Sequence, residues 1–109
     1  ERGDGAHHGA HGTARGDDGR VVLTAVGEID LSNTDVFNQA LSTATAEAEP
    51  ARLIVDFSAV EYLDSSAINA LYNLADHIHL IVNPVLMRSL TVSGLAELIP
   101  IEPVSTEAQ

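Results

Sequence analysis

Apolar residues in this chain recur with two alternating periods, and that alternation narrows the fold more than any other feature. The run RVVLTAV, residues 20–26, is β-branched and apolar, which suits a strand, and Gly27 ends it. Over DLSNTDVFNQALSTATAEAE, residues 30–49, the period changes: Val36, Phe37, Ala40, Leu41, Ala44 and Ala48 fall on one helical face. Ser32 with Asp35 three residues on resembles a capping box with Asp in place of Glu, and Pro50 closes the helix. In ARLIVDFSAV, residues 51–60, the consecutive apolars Leu53, Ile54 and Val55 are expected of a strand covered on both faces. Ile68, Leu71, Tyr72, Ala75 and Ile78 return at three- and four-residue steps, which predicts a helix from about Ser66 to Asp76.

The rest of the folded region continues the pattern. HLIV, residues 79–82, is a short strand. Asn83 and Pro84 supply an N-cap and a first helical residue, Leu86, Met87 and Leu90 an inner face, and Gly94 stands where a C′ glycine belongs. LIPI, residues 98–101, is a last strand. Its Pro100 cannot donate to a ladder, so the strand is at an edge or very short. Strands alternating with helices argue for an α/β domain, a parallel or mixed sheet with helices packed on it and right-handed crossovers as the default.

Residues 1–19 differ in kind. ERGDGAHHGAHGTARGDDG has no large apolar side chain to offset the entropy of ordering, so it reads as a disordered tail. A weak strand at about 11–15, ahead of the Asp18-Gly19 turn signal, is its one structured alternative. The domain is therefore placed at residues 20–107. The chain begins at Glu1 without a methionine, which reads as a processed or excised piece.

Composition removes several function classes. Sixteen Asp and Glu face five arginines and no lysine, a net charge of −11. Nucleic acid and anionic membrane surfaces are disfavoured, while a basic or mixed-charge protein is allowed. No cysteine is present, so disulfides, thiol nucleophiles and thiolate metal sites are excluded. Apolar runs are only a few residues long, too short to span a bilayer, and no signal-peptide pattern is visible; the expectation is a cytoplasmic protein.

Catalytic motifs are missing as well: there is no Gly-rich phosphate loop, G-x-S-x-G elbow or H-E-x-x-H. His7, His8 and His11 have metal-catching spacing but no rigid element beneath them, and His77 and His79 read as structural. A triad of Asp64, Ser65 and His77 has nothing in the sequence to assemble it. No cofactor is expected and the chain is read as non-catalytic.

The informative stretch is EYLDSSAINALYNL, residues 61–74. Taken alone, Asp64-Ser65-Ser66 before an apolar-periodic run is a helix N-terminus. Its setting adds a second reading. A hydroxyl between a buried strand and a helix lies at the carboxyl end of the sheet, where open α/β folds present ligands, and helix N–H groups and dipole there favour an added anion. A phosphate on Ser65 would carry about −1.5 to −2 charges into that surface. Against a partner carboxylate at about 5 Å, each charge costs about 3 kcal/mol at an effective dielectric near 20. That is on the order of a hundredfold in affinity or more.

Three ordered motifs then carry a resemblance. Gly27-Glu28-Ile29-Asp30, Asp64-Ser65-Ser66 and Ser93-Gly94-Leu95, within GEIDLSNTDVFNQAL, LIVDFSAVEYLDSSAINAL and NPVLMRSLTVSGLAELIPI, together resemble the STAS domain, and more narrowly the bacterial anti-sigma factor antagonists. The resemblance covers roughly residues 20–107. It implies a small, mixed, mostly parallel sheet with helices on one side. It implies a non-catalytic module that binds an anti-sigma factor, itself a serine kinase of the histidine-kinase-like ATPase type, and is released when phosphorylated. A PP2C-type phosphatase would reset the cycle. Carried over, Ser65 is the phosphoacceptor, with Asp64, Ser66, Asp30 and Ala67 as its neighbours, and Glu28, Asp30, Ser65, Ser66 and Asn69 form the partner-binding set.

Three departures accompany the resemblance. Ala67 stands where the family usually has glycine, the segment between Ser66 and Asn83 is several residues short, and the chain stops at VSTEAQ, with Ser105 resembling the N-cap of a truncated last helix. A constitutive STAS scaffold, or the regulatory domain of a larger signalling or transport protein, is the alternative function.

Overall fold

The computed structural model describes residues 9–15, as backbone, and 20–104. Five strands form one sheet in the order β1-β2-β3-β4-β5. They are β1 (Gly9–Arg15), β2 (Val21–Ile29), β3 (Leu53–Leu63), β4 (Ile78–Val82) and β5 (Ile101–Pro103). Strands β2 to β5 run parallel and β1 is antiparallel to β2. The helices are α1 (Thr34–Ala48), α2 (Ser65–Asn73) and α3 (Met87–Val92), with 3₁₀ turns at Ala75–His77, Pro84–Leu86 and Leu95–Glu97.

One face of the sheet is the floor of the core. Leu23, Leu53, Val55, Phe57, Ile78, Leu80 and Val82 are all fully buried there, and the helices close over them with Leu41, Leu71, Leu90 and Leu95. Phe37 from α1 meets Phe57 with ring centroids 5.8 Å apart, a tilted pair. The other two aromatics, Tyr62 and Tyr72, are exposed, so aliphatic side chains and alanine supply nearly all the remaining packing.

Several expectations shift. The weak strand expected at 11–15 is the seven-residue β1, registered from Gly9 opposite Gly27 to Arg15 opposite Val21. An edge ladder is built from main-chain bonds and needs no apolar side chain. Residues 1–8 and 16–19, and with them the remainder of the expected tail, lie outside the described residues, as do His7, His8 and the Ser105 cap. Strand β2 does not end at Gly27, whose φ of 87° instead accompanies a register shift, and the strand runs on to Ile29. Ser32 and Asp35 do not form a capping box: the N-cap is Asn33, without a side-chain cap bond. Strand β3 is covered on one face only, because Ile54 alternates out of the core and is half-buried on the open side.

The last strand is three residues later than expected. Leu95–Glu97 closes a 3₁₀ turn, Ile99 drops into the core, and the ladder starts with the one group Pro100 retains: its carbonyl accepts from Leu80 N–H at 2.9 Å. Strand β5 is both short and at the edge. Helix α2 stops at Asn73, not Asp76, and the chain turns through Ala75–His77 directly into β4.

Strand β3 carries two extra residues against β2: Thr24 pairs with Asp56 but Val26 with Ala59, and Gly27 pairs with Val60 but Glu28 with Tyr62. These bulges keep Val60 and Leu63 pointing into the core and aim the strand end at the loop after β2. Ile29 and Leu63 finish opposite each other, and Asp64 N–H donates to Ile29 O at 3.1 Å. The candidate site grows from that junction.

Candidate functional site

Asp64 leaves β3 in extended conformation and caps α2. Its Oδ1 accepts from Ser66 N–H at 2.9 Å, Ala67 N–H at 3.1 Å and the Ser66 hydroxyl at 2.6 Å. Its Oδ2 accepts from Leu31 N–H at 3.0 Å, across to the loop after β2. The Ser66 hydroxyl bond, opposed by partial desolvation and reinforced by the three backbone donors, holds the Asp64 carboxyl below the usual carboxylate range.

The loop that receives this bond is itself fixed. Asp30 Oδ1 accepts from the Ser32 N–H at 3.0 Å and hydroxyl at 2.6 Å, and Asn33 Oδ1 accepts from Asp30 N–H at 2.9 Å. Asn33 Nδ2 donates to Glu28 O at 2.9 Å, which anchors the loop back to β2. Buried Thr34 donates its hydroxyl to Asp30 O at 2.5 Å and lies 2.8 Å from Ser66 Oγ. Asp30, Asp64 and Ser66 are thus brought together, each held by named bonds.

Ser65 stands apart from this network. It is exposed at the first position of α2, and among the described residues its hydroxyl makes no hydrogen bond. Asn69 is exposed one turn further on the same helix face. Glu28 is exposed at the end of β2 opposite Tyr62. Ala67 is fully buried, so the methyl that replaces the expected glycine is packed into the core.

One expectation about the helix end changes. Backbone N–H groups of α2 were to favour an added anion, but two of them, on Ser66 and Ala67, already serve Asp64. A phosphate on Ser65 would receive the helix dipole and not those donors, and would sit beside a standing carboxylate.

His77 does not join Ser65. It ends the 3₁₀ turn just before Ile78, which pairs with Leu53 at the start of β3, whereas Ser65 follows the far end of the 11-residue β3, a separation of about 30 Å at ordinary strand rise. His79 lies on the sheet, half-buried, with Nε2 3.4 Å from Glu102 Oε1. Of His11 only the backbone, in β1, is described.

Leu31, Asn33 and Thr34 are site residues that no motif or spacing singles out. Their partners are Asp64, Glu28 and Ser66, and two of these three contacts bridge more than thirty residues.

The family model described as STAS domain matches residues 13–108. A crystal structure of an anti-sigma factor antagonist from Mycobacterium paratuberculosis is similar with a TM-score of 0.79 and 26% identity, over 88% of this chain and 86% of that one. The anti-sigma factor antagonist SpoIIAA in its unphosphorylated form gives 0.69 and 19%, over 90% of each chain. The Bacillus cell fate determinant SpoIIAA in the phosphorylated form gives 0.63 and 19%, over 90% and 94%. The last two likenesses concern the fold. No curated protein sequence matches the chain.

Proposed function

This chain belongs to the STAS domain family, and on that premise we propose that it is an anti-sigma factor antagonist switched by phosphorylation at Ser65. In its unmodified form the domain binds an anti-sigma factor that is a serine kinase of the histidine-kinase-like ATPase type. That kinase transfers the γ-phosphoryl group of ATP to Ser65 Oγ and the complex separates; a PP2C-type phosphatase restores the serine. The module itself catalyses nothing and works in the cytoplasm. Its functional unit is residues 20–107 together with the edge strand β1.

One observation carries the choice of serine. Of the two hydroxyls at the start of α2, Ser66 is bonded to Asp64 and in contact with Thr34, while Ser65 is exposed and unengaged. A kinase can take Ser65 without dismantling the helix cap. Once modified, Ser65 carries its phosphate outward, because Asp64 already fills the adjacent donors and repels it. The added charge therefore faces the docked partner, where each unit costs about 3 kcal/mol against a carboxylate at about 5 Å.

Further support comes from relatives of like fold. The Mycobacterium paratuberculosis protein is an anti-sigma factor antagonist, and SpoIIAA has been solved both unphosphorylated and phosphorylated. Incubation with purified serine kinases of the anti-sigma type and ATP, followed by mass spectrometry, should place one phosphate on Ser65 and none on Ser65→Ala. Ser65→Asp should bind the same kinase on the order of a hundredfold more weakly. Equal binding by wild type and Ser65→Asp sinks the charge switch.

A further inference from the structure

Three large apolar side chains are exposed at the end of the sheet that carries Ser65. Leu31, in the loop after β2, is 79% exposed; Tyr62, at the end of β3, 50%; Val85, in the turn after β4, 62%. Adjacent strands lie about 4.8 Å apart, so these three positions follow one rim.

Leu31 is the most exposed of them and the most firmly presented. Its N–H is bonded to Asp64, and the flanking loop is held by the Asp30, Ser32 and Asn33 bonds. A leucine displayed on a fixed backbone loses little conformational freedom on docking. It is also next to the switch: the carboxylate that positions it belongs to the residue preceding Ser65.

Charge on the rim identifies the occupant. Glu28, Asp30, Asp35, Glu61 and Asp64 all belong to this end or its first helical turn, and Arg88 on α3 is the one described arginine carried by an element leaving it. Arg20 and Arg52 sit at the starts of β2 and β3, the opposite end of the sheet. A second copy of this chain would bring carboxylates against carboxylates, and an anionic bilayer would do the same.

We propose that Leu31 is the apolar anchor of the docking surface, seated in an apolar pocket of the anti-sigma partner whose rim carries arginine or lysine facing Asp30 and Asp35, and a carboxylate only where it faces Ser65. The proposal rests on the functional reading above and adds the chemistry of the partner's surface. Asp64 then has two tasks, capping the phosphoacceptor helix and holding the anchor's loop, and Leu31 acts in docking, not in phosphoryl transfer.

The test uses the full chain and the purified anti-sigma kinase that modifies Ser65. Leu31→Asp should weaken binding about tenfold or more and raise KM for phosphorylation with kcat unchanged, while Leu31→Met stays within about threefold. Val92→Asp, on an equally exposed valine at the end of α3, is the control and should bind as wild type does. Affinity should also fall as salt is raised. Wild-type binding and phosphorylation by Leu31→Asp overturns the anchor and leaves the phosphorylation switch standing. Failure of every such kinase to bind the wild-type chain overturns both. Self-association of the wild-type chain that Leu31→Asp abolishes gives the face to a second copy and overturns the basic-rimmed pocket.

Discussion

Thr34 Oγ1 lies 2.8 Å from Ser66 Oγ and joins the first turn of α1 to the first turn of α2. Two hydroxyl protons serve three short contacts there. Thr34 donates to Asp30 O and Ser66 donates to Asp64, so the contact between the two hydroxyls is the one left without a proton of its own. The two residues are therefore unequal. Asp30 O also accepts from the N–H groups of Asn33 and Thr34 and stays satisfied without the Thr34 hydroxyl.

Ser66→Ala removes a bond to a charged group and should cost about 1.5–3 kcal/mol in urea unfolding, whereas Thr34→Val should cost about 1 kcal/mol or less. The Ser66 hydroxyl is also the largest influence lowering the Asp64 pKa. In Ser66→Ala the Asp64 carboxyl should titrate at higher pH than in wild type, by NMR. An unmoved Asp64 titration would show that the hydroxyl points elsewhere in solution.

Asp64 itself can be dissected by charge and by shape. Asparagine caps a helix as well as aspartate does, so Asp64→Asn should keep the bonds to Ser66 and Ala67 N–H. Its amide nitrogen cannot accept from Leu31 N–H, and the loss should be about 1 kcal/mol. Asp64→Ala should lose about 1–2 kcal/mol more, with the cap gone. The folded-state pKa of Asp64 is depressed, so its charge contributes stability above the unfolded carboxylate range, near about 3.9, and that contribution disappears as pH falls through the folded value. The stability gap between wild type and Asp64→Asn should be full at neutral pH and close below about pH 4. A gap that is constant from pH 7 to pH 3 would assign the effect to shape alone.

How much of this was legible beforehand follows from which forces are local. The alternation of strands and helices, the Asn83 cap and the left-handed Gly94 after α3 all depend on residues within a turn of one another, and each is where the sequence placed it. Strand β1 is only a weak alternative in the sequence because its backbone ladder leaves no apolar signature in GAHGTAR. Ile54 misled because three consecutive apolars look alike whether a strand is covered on one face or two. At the site, the role of Asp64 as a cap was legible for the same local reason. Its bond to Leu31 and the pairing of Thr34 with Ser66 were not, since both depend on β2 and β3 ending in register at Ile29 and Leu63.

Ala67 tests whether the departure from glycine has been absorbed by this fold. Its methyl is fully buried and its N–H is bonded to Asp64. Ala67→Gly gives up about 0.8 kcal/mol of methyl burial and up to about 1 kcal/mol of helix propensity, so a loss of about 1–2 kcal/mol is expected from denaturant unfolding. Ser65 and its exposed hydroxyl are unchanged by that substitution. A variant as stable as wild type would mean that the cavity closes completely.

Gly94 couples the third motif to helix α2. Its φ is 86°, a left-handed conformation that costs a side chain about 1–2 kcal/mol, and a Cβ there would come within 3.2 Å of the Tyr72 hydroxyl. That hydroxyl donates to Ser93 O, so helix α2 is latched at its C-terminal end to the turn after α3. Gly94→Ala should therefore carry two costs, the backbone conformation and the displacement of Tyr72. Because Tyr72 is partly exposed, its hydroxyl can move into water, and Tyr72→Phe alone should cost only about 1 kcal/mol. In the double variant the Cβ no longer meets a hydroxyl, and the pair should be less destabilised than the two single losses added together. Strict additivity in a double-mutant cycle would leave the backbone conformation as the sole reason for glycine and would remove the latch.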